Sequence, residues 1–560
     1  DDSDSDPTNN TNPTDPTDDS DSDPTETTDS DTDPVCEEGT IICEDNEAKV
    51  CDGMGGFSEE EICEFECVDG VGCVVCIPGD FMCDEMGNSL ECNEAGDAWE
   101  PYETCDGVQG VMCNEDTGLC DGACSKAALG LSYIGCDYYP TVTQQYDGYN
   151  GNGVTFAAAV ANTSGSPAQI TVTRGDNEVT SQMVMPNSVQ VISLPWVNEL
   201  TLGTGPTIQV EDGAYRLRSD QPVTVYQYNP LAANVTNDAS VLLPVNTWTG
   251  RYLVASYPHW SPQNFNKPGF MAVVASEDNT EVTLYPSATS TPVQAGAGVA
   301  ADATGVVTLN QGDALQVLTA NPGDLTGMIV EATRPIQVIG GHSCTNVPAN
   351  ITACDHLEES MFPIETLAKE YIVVPPVQVP NNNLEKAQIV RVIAAEANTA
   401  VTFDPDQGAD AVLTNAGDFI ELDTTVAKFK VSADKKIAVA QYMVGQSANF
   451  GTSDPAMLMA IATEQYRTSY LFHAPTGWNQ NFVDVIAPDG ATVEVDGMAV
   501  NNFEAVGATG FSHAHVLLNN GGDGNHSVTA DVPVGISVYG VVSFGSYWYP
   551  GGLELERIIG

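Results

Sequence analysis

Two histidines and two cysteines stand in mirror order in this chain: His342-x-Cys344, nine residues, then Cys354-x-His356. Two imidazoles and two thiolates are the donor set of a tetrahedral zinc site, and Glu358 offers a carboxylate oxygen beside them. The same two sulfurs can instead join each other, closing a short loop worth about 2–3 kcal/mol in chain entropy. Cys124 and Cys136 are the other candidate pair. His513-x-His515 is a further two-imidazole motif. On a strand both rings project from one face, and His526 or Asp523 across a hairpin would supply a third ligand. No His-Glu-x-x-His, Gly-x-Ser-x-Gly or phosphate loop occurs. The expectation is a protein without catalysis and without a cofactor, in which His342, His356 and Glu358 are the metal candidates held against the disulfide reading.

The remaining cysteines decide between the two readings of the loop. There are sixteen in all, and thirteen lie within residues 36–124. Cys36, Cys43, Cys51, Cys63 and Cys73 recur as Cys76, Cys83, Cys92, Cys105 and Cys113, at offsets of 40, 40, 41, 42 and 40 residues. Two copies of one small module, 36–75 and 76–124, account for this step. Modules so short and so poor in large apolar residues need cross-links in place of a core. Six cysteines per module leave about 15 pairings open. An even count in such a pattern places the chain in an oxidising compartment and favours Cys344–Cys354 as a disulfide.

Charge narrows the partners. Asp and Glu number 78 against 17 Lys and Arg, a formal net charge of -61. A polyanion of this kind repels nucleic acid and anionic lipid. Residues 1–35 are almost entirely Asp, Ser, Thr, Pro and Asn, which cannot bury apolar surface, so a disordered tether with at most weak calcium association is expected. No apolar run reaches the length of a transmembrane helix. The opening within a polar tract reads as a mature form with its export signal removed, and a lipid at the amino terminus would suit such a tether. The expected location is secreted or at the outer surface of a bacterial cell.

Residues 125–555 must position whatever the histidines do. Alternating Val, Ile, Thr and Tyr with frequent turns predicts an all-β region. Val154–Val160 and Ile170–Thr173 read as a strand pair around Asn162-Thr163-Ser164-Gly165, and three similar pairs follow. A second motif accompanies each pair: Asp220-Gln221-Pro222-Val223, Thr333-Arg334-Pro335-Ile336, Asp434-Lys435-Lys436-Ile437 and Asp531-Val532-Pro533-Val534. The steps from Pro222 to Pro335, Lys436 and Pro533 are 113, 101 and 97 residues. Four tandem units follow, about 130–235, 236–350, 351–450 and 451–555. Their length suits β-sandwich-like units, with a large-bladed propeller as the alternative. Asp238, Asp355 and Asp454 follow three of the motifs and are expected to cap turns. The tyrosines after them are expected to seal joints between units.

These phrases also carry a resemblance. Ser132-Tyr133-Ile134-Gly135-Cys136-Asp137-Tyr138-Tyr139-Pro140, Val225-Tyr226-Gln227-Tyr228-Asn229-Pro230 and Gly340-Gly341-His342-Ser343-Cys344 resemble signatures of the IgGFc-binding protein N-terminal domain family. So do Ala353-Cys354-Asp355-His356-Leu357-Glu358-Glu359, Ala440-Gln441-Tyr442 and Tyr549-Pro550-Gly551-Gly552. Together they cover about 130–555, and the cysteine modules resemble stalks that precede this domain in exported bacterial proteins. The resemblance implies an extracellular, adhesive, non-enzymatic module for a glycoprotein, polysaccharide or other surface protein. A structural coat or matrix component without a specific ligand is the alternative, and a metal-dependent hydrolase at His342 and His356 ranks last. Trp260, Trp478, Tyr547 and Trp548 are candidate stacking surfaces for such a partner, with core packing as the other reading.

Overall fold

A computed structural model of the protein describes residues 36–146, 154–201, 205–233, 235–262 and 265–555. The acidic segment 1–35, with its calcium reading, lies outside them. The described chain divides into two compact units, one of residues 36–81 and 91–100, the other of 82–90 and 101–555.

All sixteen cysteines are paired. In the first module the bonds are Cys36–Cys51, Cys43–Cys67 and Cys63–Cys73. In the second they are Cys76–Cys92, Cys83–Cys113 and Cys105–Cys120. Both modules therefore join their first cysteine to the third, second to fifth and fourth to sixth. This corrects the correspondence drawn from spacing. Cys67 matches Cys113 and Cys73 matches Cys120, because the second module has a longer step before its last two cysteines. Cys124 is bonded to Cys136, and Cys344 to Cys354.

The larger unit is built from four successive curled sheets of seven, eight, seven and eight strands. One long strand runs through each: Arg216–Tyr228, Ile329–Thr345, Phe429–Met443 and Asn525–Val542. The strands read as hairpins from sequence do not pair with each other. They follow one another along an edge of the long strand. Asn162 sits opposite Val223 and Ile170 opposite Ser219; Ala275 sits opposite Ile336 and Val282 opposite Ala332. Ala394 and Val401, then Ile486 and Val493, repeat the pattern against Ile437, Ala433, Gly535 and Ala530. The gap between each pair lies against the Pro-type motif, where the long strand turns from one half-sheet into the other.

The chemistry of that motif follows from the corner. Pro222, Pro335 and Pro533 fall where the ladder is interrupted, so a missing N–H costs no strand hydrogen bond. The first residue of each motif restarts the neighbouring strand. Asp220 accepts the Gln169 N–H at 2.7 Å, Asp434 the Ala400 N–H at 2.8 Å and Asp531 the Thr492 N–H at 2.8 Å. Thr333 takes the same role for Glu281 N–H at 3.0 Å. Buried tyrosine hydroxyls latch the far side. Tyr138 donates to Val223 O at 2.6 Å, Tyr371 to Ile437 O at 2.8 Å and Tyr470 to Val534 O at 2.5 Å. The hydroxyls of Tyr371 and Tyr470 thus lock corners inside their own sheets, while the Tyr371 backbone also bridges Ala462 of the next unit, as expected of a residue at a joint.

A short strand pairs with the far half of each long strand: Ala239–Leu242, Asp355–Ser360, Met457–Met459 and Gly545–Pro550. These four inner strands pack in a closed ring, with the first and third each touching the second and fourth. The start and finish of the four-sheet region are tied together, since Tyr133 N–H donates to Leu553 O at 3.1 Å and Leu555 N–H to Leu131 O at 2.7 Å. Two half-sheets sharing a bent strand are the sandwich character of each unit; the circle of four is what it has in common with a bladed arrangement.

Candidate functional site

Asp238 stands immediately before the first inner strand, with no exposed surface. Its carboxylate receives one N–H from each inner strand. Oδ1 accepts from Ala239 at 2.9 Å and Trp548 at 3.0 Å; Oδ2 accepts from Met457 at 2.9 Å and Glu358 at 3.2 Å. Burial pushes its pKa well above the usual carboxylate range, and these four donors oppose that rise. Asp355 has the same kind of role. It accepts from Asn237 N–H at 2.7 Å, its own neighbour His356 N–H at 2.9 Å and Ser546 N–H at 3.3 Å. The two aspartates are struts between units and not only local turn caps, because strand ends from distant parts of the chain leave N–H groups without ladder partners here.

The His/Cys loop lies against this ring. Cys344 and Cys354 are joined with Cα atoms 5.3 Å apart, so neither sulfur is a thiolate ligand. His342 and His356 are both fully buried. The His342 Nδ1 accepts the Cys344 N–H at 3.1 Å, and burial drives its pKa well below the ordinary imidazole value. The His356 ring stacks on Phe270 at 5.6 Å, with Nε2 3.4 Å from Glu358 Oε2. Glu358 is itself saturated: Gln227 Nε2 donates to Oε1 at 2.6 Å, and Asn229 Nδ2 at 3.0 Å and the Thr143 hydroxyl donate to Oε2. Donor atoms of His342, His356 and Glu358 are not within 4.8 Å of one another as a trio. What the fold brings together here is a buried polar network joining the first two sheets, not an open ligand set.

Open space lies elsewhere. The first and fourth sheets meet along Tyr226, whose hydroxyl donates to Gly551 O at 2.7 Å, and Tyr228, whose hydroxyl donates to His473 O at 2.8 Å. Beside this seam is a groove of about 450 Å³ lined by Asn187, Arg467, Ser469, Asn525, Ser527 and Thr529, among others. Arg467 pairs with Glu554 and lies 5.3 Å over the Tyr133 ring. Ser469 and Thr529 are exposed and face each other across two strands of its floor. Hydroxyls, amides and one guanidinium converge on this surface. Of the aromatic residues offered as stacking surfaces, Trp478, Tyr547 and Trp548 are core residues; Trp260 alone is half-exposed, stacked on Phe265 at 6.4 Å.

A family model described as IgGFc binding protein matches residues 238–540. The chain belongs to the IgGFc-binding protein family. The match opens on Asp238, the residue that gathers the four inner strands. A curated relative, the IgGFc-binding protein of Homo sapiens, is 25% identical over 409 residues, which is 69% of this chain. The aligned part is only 7% of the length of that relative. The family phrases Gly340-Gly341-His342 and Asp355-His356-Leu357-Glu358 are adjacent strands of the ring. A side chain at Gly341 would place its Cβ 1.9 Å from Leu357 O, so only glycine fits between them.

Some site residues had no sequence signal. His513 and His515 do face one side of the strand Phe511–Leu517, with ring centroids 4.9 Å apart. Their acidic neighbours are Glu385, Asp484 and Glu504, and neither His526 nor Asp523 takes the place expected of it. His515 Nδ1 is 2.6 Å from Asp484 Oδ1 and Nε2 is 3.0 Å from Glu385 Oε2. His526 is occupied with Asp496 at 2.8 Å. Glu385 arrives from the third unit, far away in sequence, so no local pattern announces it. Arg391 was not read from the sequence, although a lone Arg in the buried, mostly apolar strand Gln388–Ala394 is a signal that could have marked it as a paired buried charge.

Proposed function

We propose that this chain is a non-catalytic binding protein of the extracellular space, holding a glycoprotein, polysaccharide or protein partner on the outer surface of its ring of β units. One observation carries the reading: the histidines and carboxylates at the ring's centre have no exposed surface, and the carboxylates of Asp238, Asp355 and Glu358 are held by backbone N–H groups, amides and a hydroxyl, whereas the groove beside the seam is open and lined by hydroxyls, amides and one guanidinium together with Tyr133, Ile134 and Leu471. Eight disulfides with no free cysteine support an oxidising setting. No helix of the described residues is long and apolar enough to cross a membrane. The human relative is named for binding the Fc part of IgG, which makes Fc the first probe to try. Adhesion is the use that fits a rigid repeat surface carried behind cross-linked modules.

The test is equilibrium binding of the full chain to immobilised IgG Fc, a mucin-type glycoprotein with and without its glycans, and acidic and neutral polysaccharides. Saturable binding to one class, lost after reduction and alkylation, supports the reading. Uniform, non-saturable binding across the panel would favour a coat or matrix component.

A further inference from the structure

We propose that Glu385, His513 and His515 bind one divalent transition-metal ion of the zinc class, pinning the third unit to the fourth. Their donor atoms all lie within 4.8 Å of one another. Two imidazoles and one carboxylate are a recognised zinc donor set, with a fourth position left for water or another oxygen. The side chains approach from two different units: Glu385 precedes the strand Gln388–Ala394, and the histidines lie on Phe511–Leu517.

Three features go beyond mere proximity. The first is His513, whose residue is 1% exposed and whose Nδ1 and Nε2 have no hydrogen-bond partner. A buried ring with both nitrogens unsatisfied is costly and calls for an acceptor of its lone pair. The second is the support behind His515. Asp484 Oδ1 lies 2.6 Å from Nδ1 and in turn accepts the Tyr539 hydroxyl at 2.8 Å. A carboxylate on the rear nitrogen fixes the ring and aims Nε2 forward, the usual outer arrangement of a metal-bound histidine. The third is Lys428. Its ammonium lies 2.6 Å from Glu385 Oε1 and 3.1 Å from Glu504 Oε2. A cation is thus already drawn to this carboxylate pair. Glu504 also comes within 3.7 Å of His513 Nε2 and is 70% exposed, giving the site an oxygen at its mouth and a way in from solvent.

The Lys428 ammonium and an ion on Glu385 repel one another, which gives the proposal a sign. After EDTA treatment and dialysis, the full chain is titrated with Zn²⁺ and with Co²⁺ in the presence of millimolar Mg²⁺ and Ca²⁺, which fill oxygen-only sites. The expected result is one Zn²⁺ per chain, a tetrahedral Co²⁺ absorption band, and a raised unfolding midpoint. Stoichiometry should fall to zero in His513→Phe and in Glu385→Gln, and binding should tighten in Lys428→Met. Unfolding curves of the metal-free variants report whether each is folded, and Glu385→Gln, at a partly exposed position, keeps the test available if His513→Phe is not. Absence of stoichiometric Zn²⁺, or Zn²⁺ retained by either ligand variant, would overturn the assignment.

Discussion

Replacing Asp238 by Asn tests the ring at its centre. The change conserves shape but turns one of two acceptor oxygens into an NH₂ group. Each Asp238 oxygen holds two backbone N–H groups, from Ala239 and Trp548 on one side and from Glu358 and Met457 on the other. Whichever way the amide turns, two buried N–H groups lose their acceptor and face another donor. At about 1–3 kcal/mol for each unsatisfied buried group, the loss is about 2–6 kcal/mol. Asp238→Ala strands all four, and about 4–12 kcal/mol is comparable to the whole stability of a typical domain. The assay is urea unfolding with disulfides intact, followed by tryptophan fluorescence and read at unchanged m. Asp434→Asn is the control, since Asp434 is exposed and accepts only the Ala400 N–H. A loss below about 1 kcal/mol for Asp238→Asn, or one equal to the control, would refute the claim that this carboxylate gathers the four inner strands.

Other outcomes follow from the same structure. Arg391 is 2.9 Å from Asp324 and 2.7 Å from Glu421, and it packs 4.8 Å from the Tyr257 and Phe419 rings. Arg391→Met leaves Asp324 buried without its partner and should cost about 3–5 kcal/mol in urea unfolding, most of it recovered in Arg391→Met/Asp324→Leu. The Cys344–Cys354 bond spans 10 residues, so the double Ala variant should lose about 3 kcal/mol while keeping its circular dichroism spectrum. Burial lowers the pKa of His473 from 6.5, with Asn525 and Asp523 acting the other way. The native state then binds fewer protons than the unfolded chain. The His473 contribution to stability is complete above pH 6.5 and is lost as pH falls below it, at up to about 1.4 kcal/mol per pH unit. Unfolding free energies of wild type and His473→Gln, compared from pH 7.5 to 5, should diverge with that sign; parallel profiles would contradict it.

Periodic features were the legible ones. The Asp-x-Pro-Val phrases marked the corners because a strand that bends needs both a residue without an N–H and a side chain to restart its neighbour. The all-β character and the tandem units came from the same repetition. Strand pairing was not legible: a loop of similar length can close a hairpin or step over a corner, and only the long strand's register distinguishes them. Asp238 showed itself as a turn residue, since its cap on Ala239 is local while its bonds to Glu358, Met457 and Trp548 exist only once the ring closes. Glu385 was invisible for the same reason. The cysteine step matched one cysteine early, because spacing carries no information on which loop lengthened; the repeated first-to-third, second-to-fifth and fourth-to-sixth bonding became visible only in the structure.

The claim that this surface, and not the buried histidines, is where a partner sits has a direct test. Ser469→Tyr/Thr529→Tyr fills the groove floor with a cross-strand aromatic pair that strands accept well. Partner binding by this variant is compared with wild type, alongside His356→Gln as an interior change. The account predicts at least tenfold weaker binding for the double Tyr variant with unaltered unfolding, and unchanged affinity for folded His356→Gln. Full affinity in the double Tyr variant, with loss in His356→Gln, would contradict it and return the site to the loop between His342 and His356.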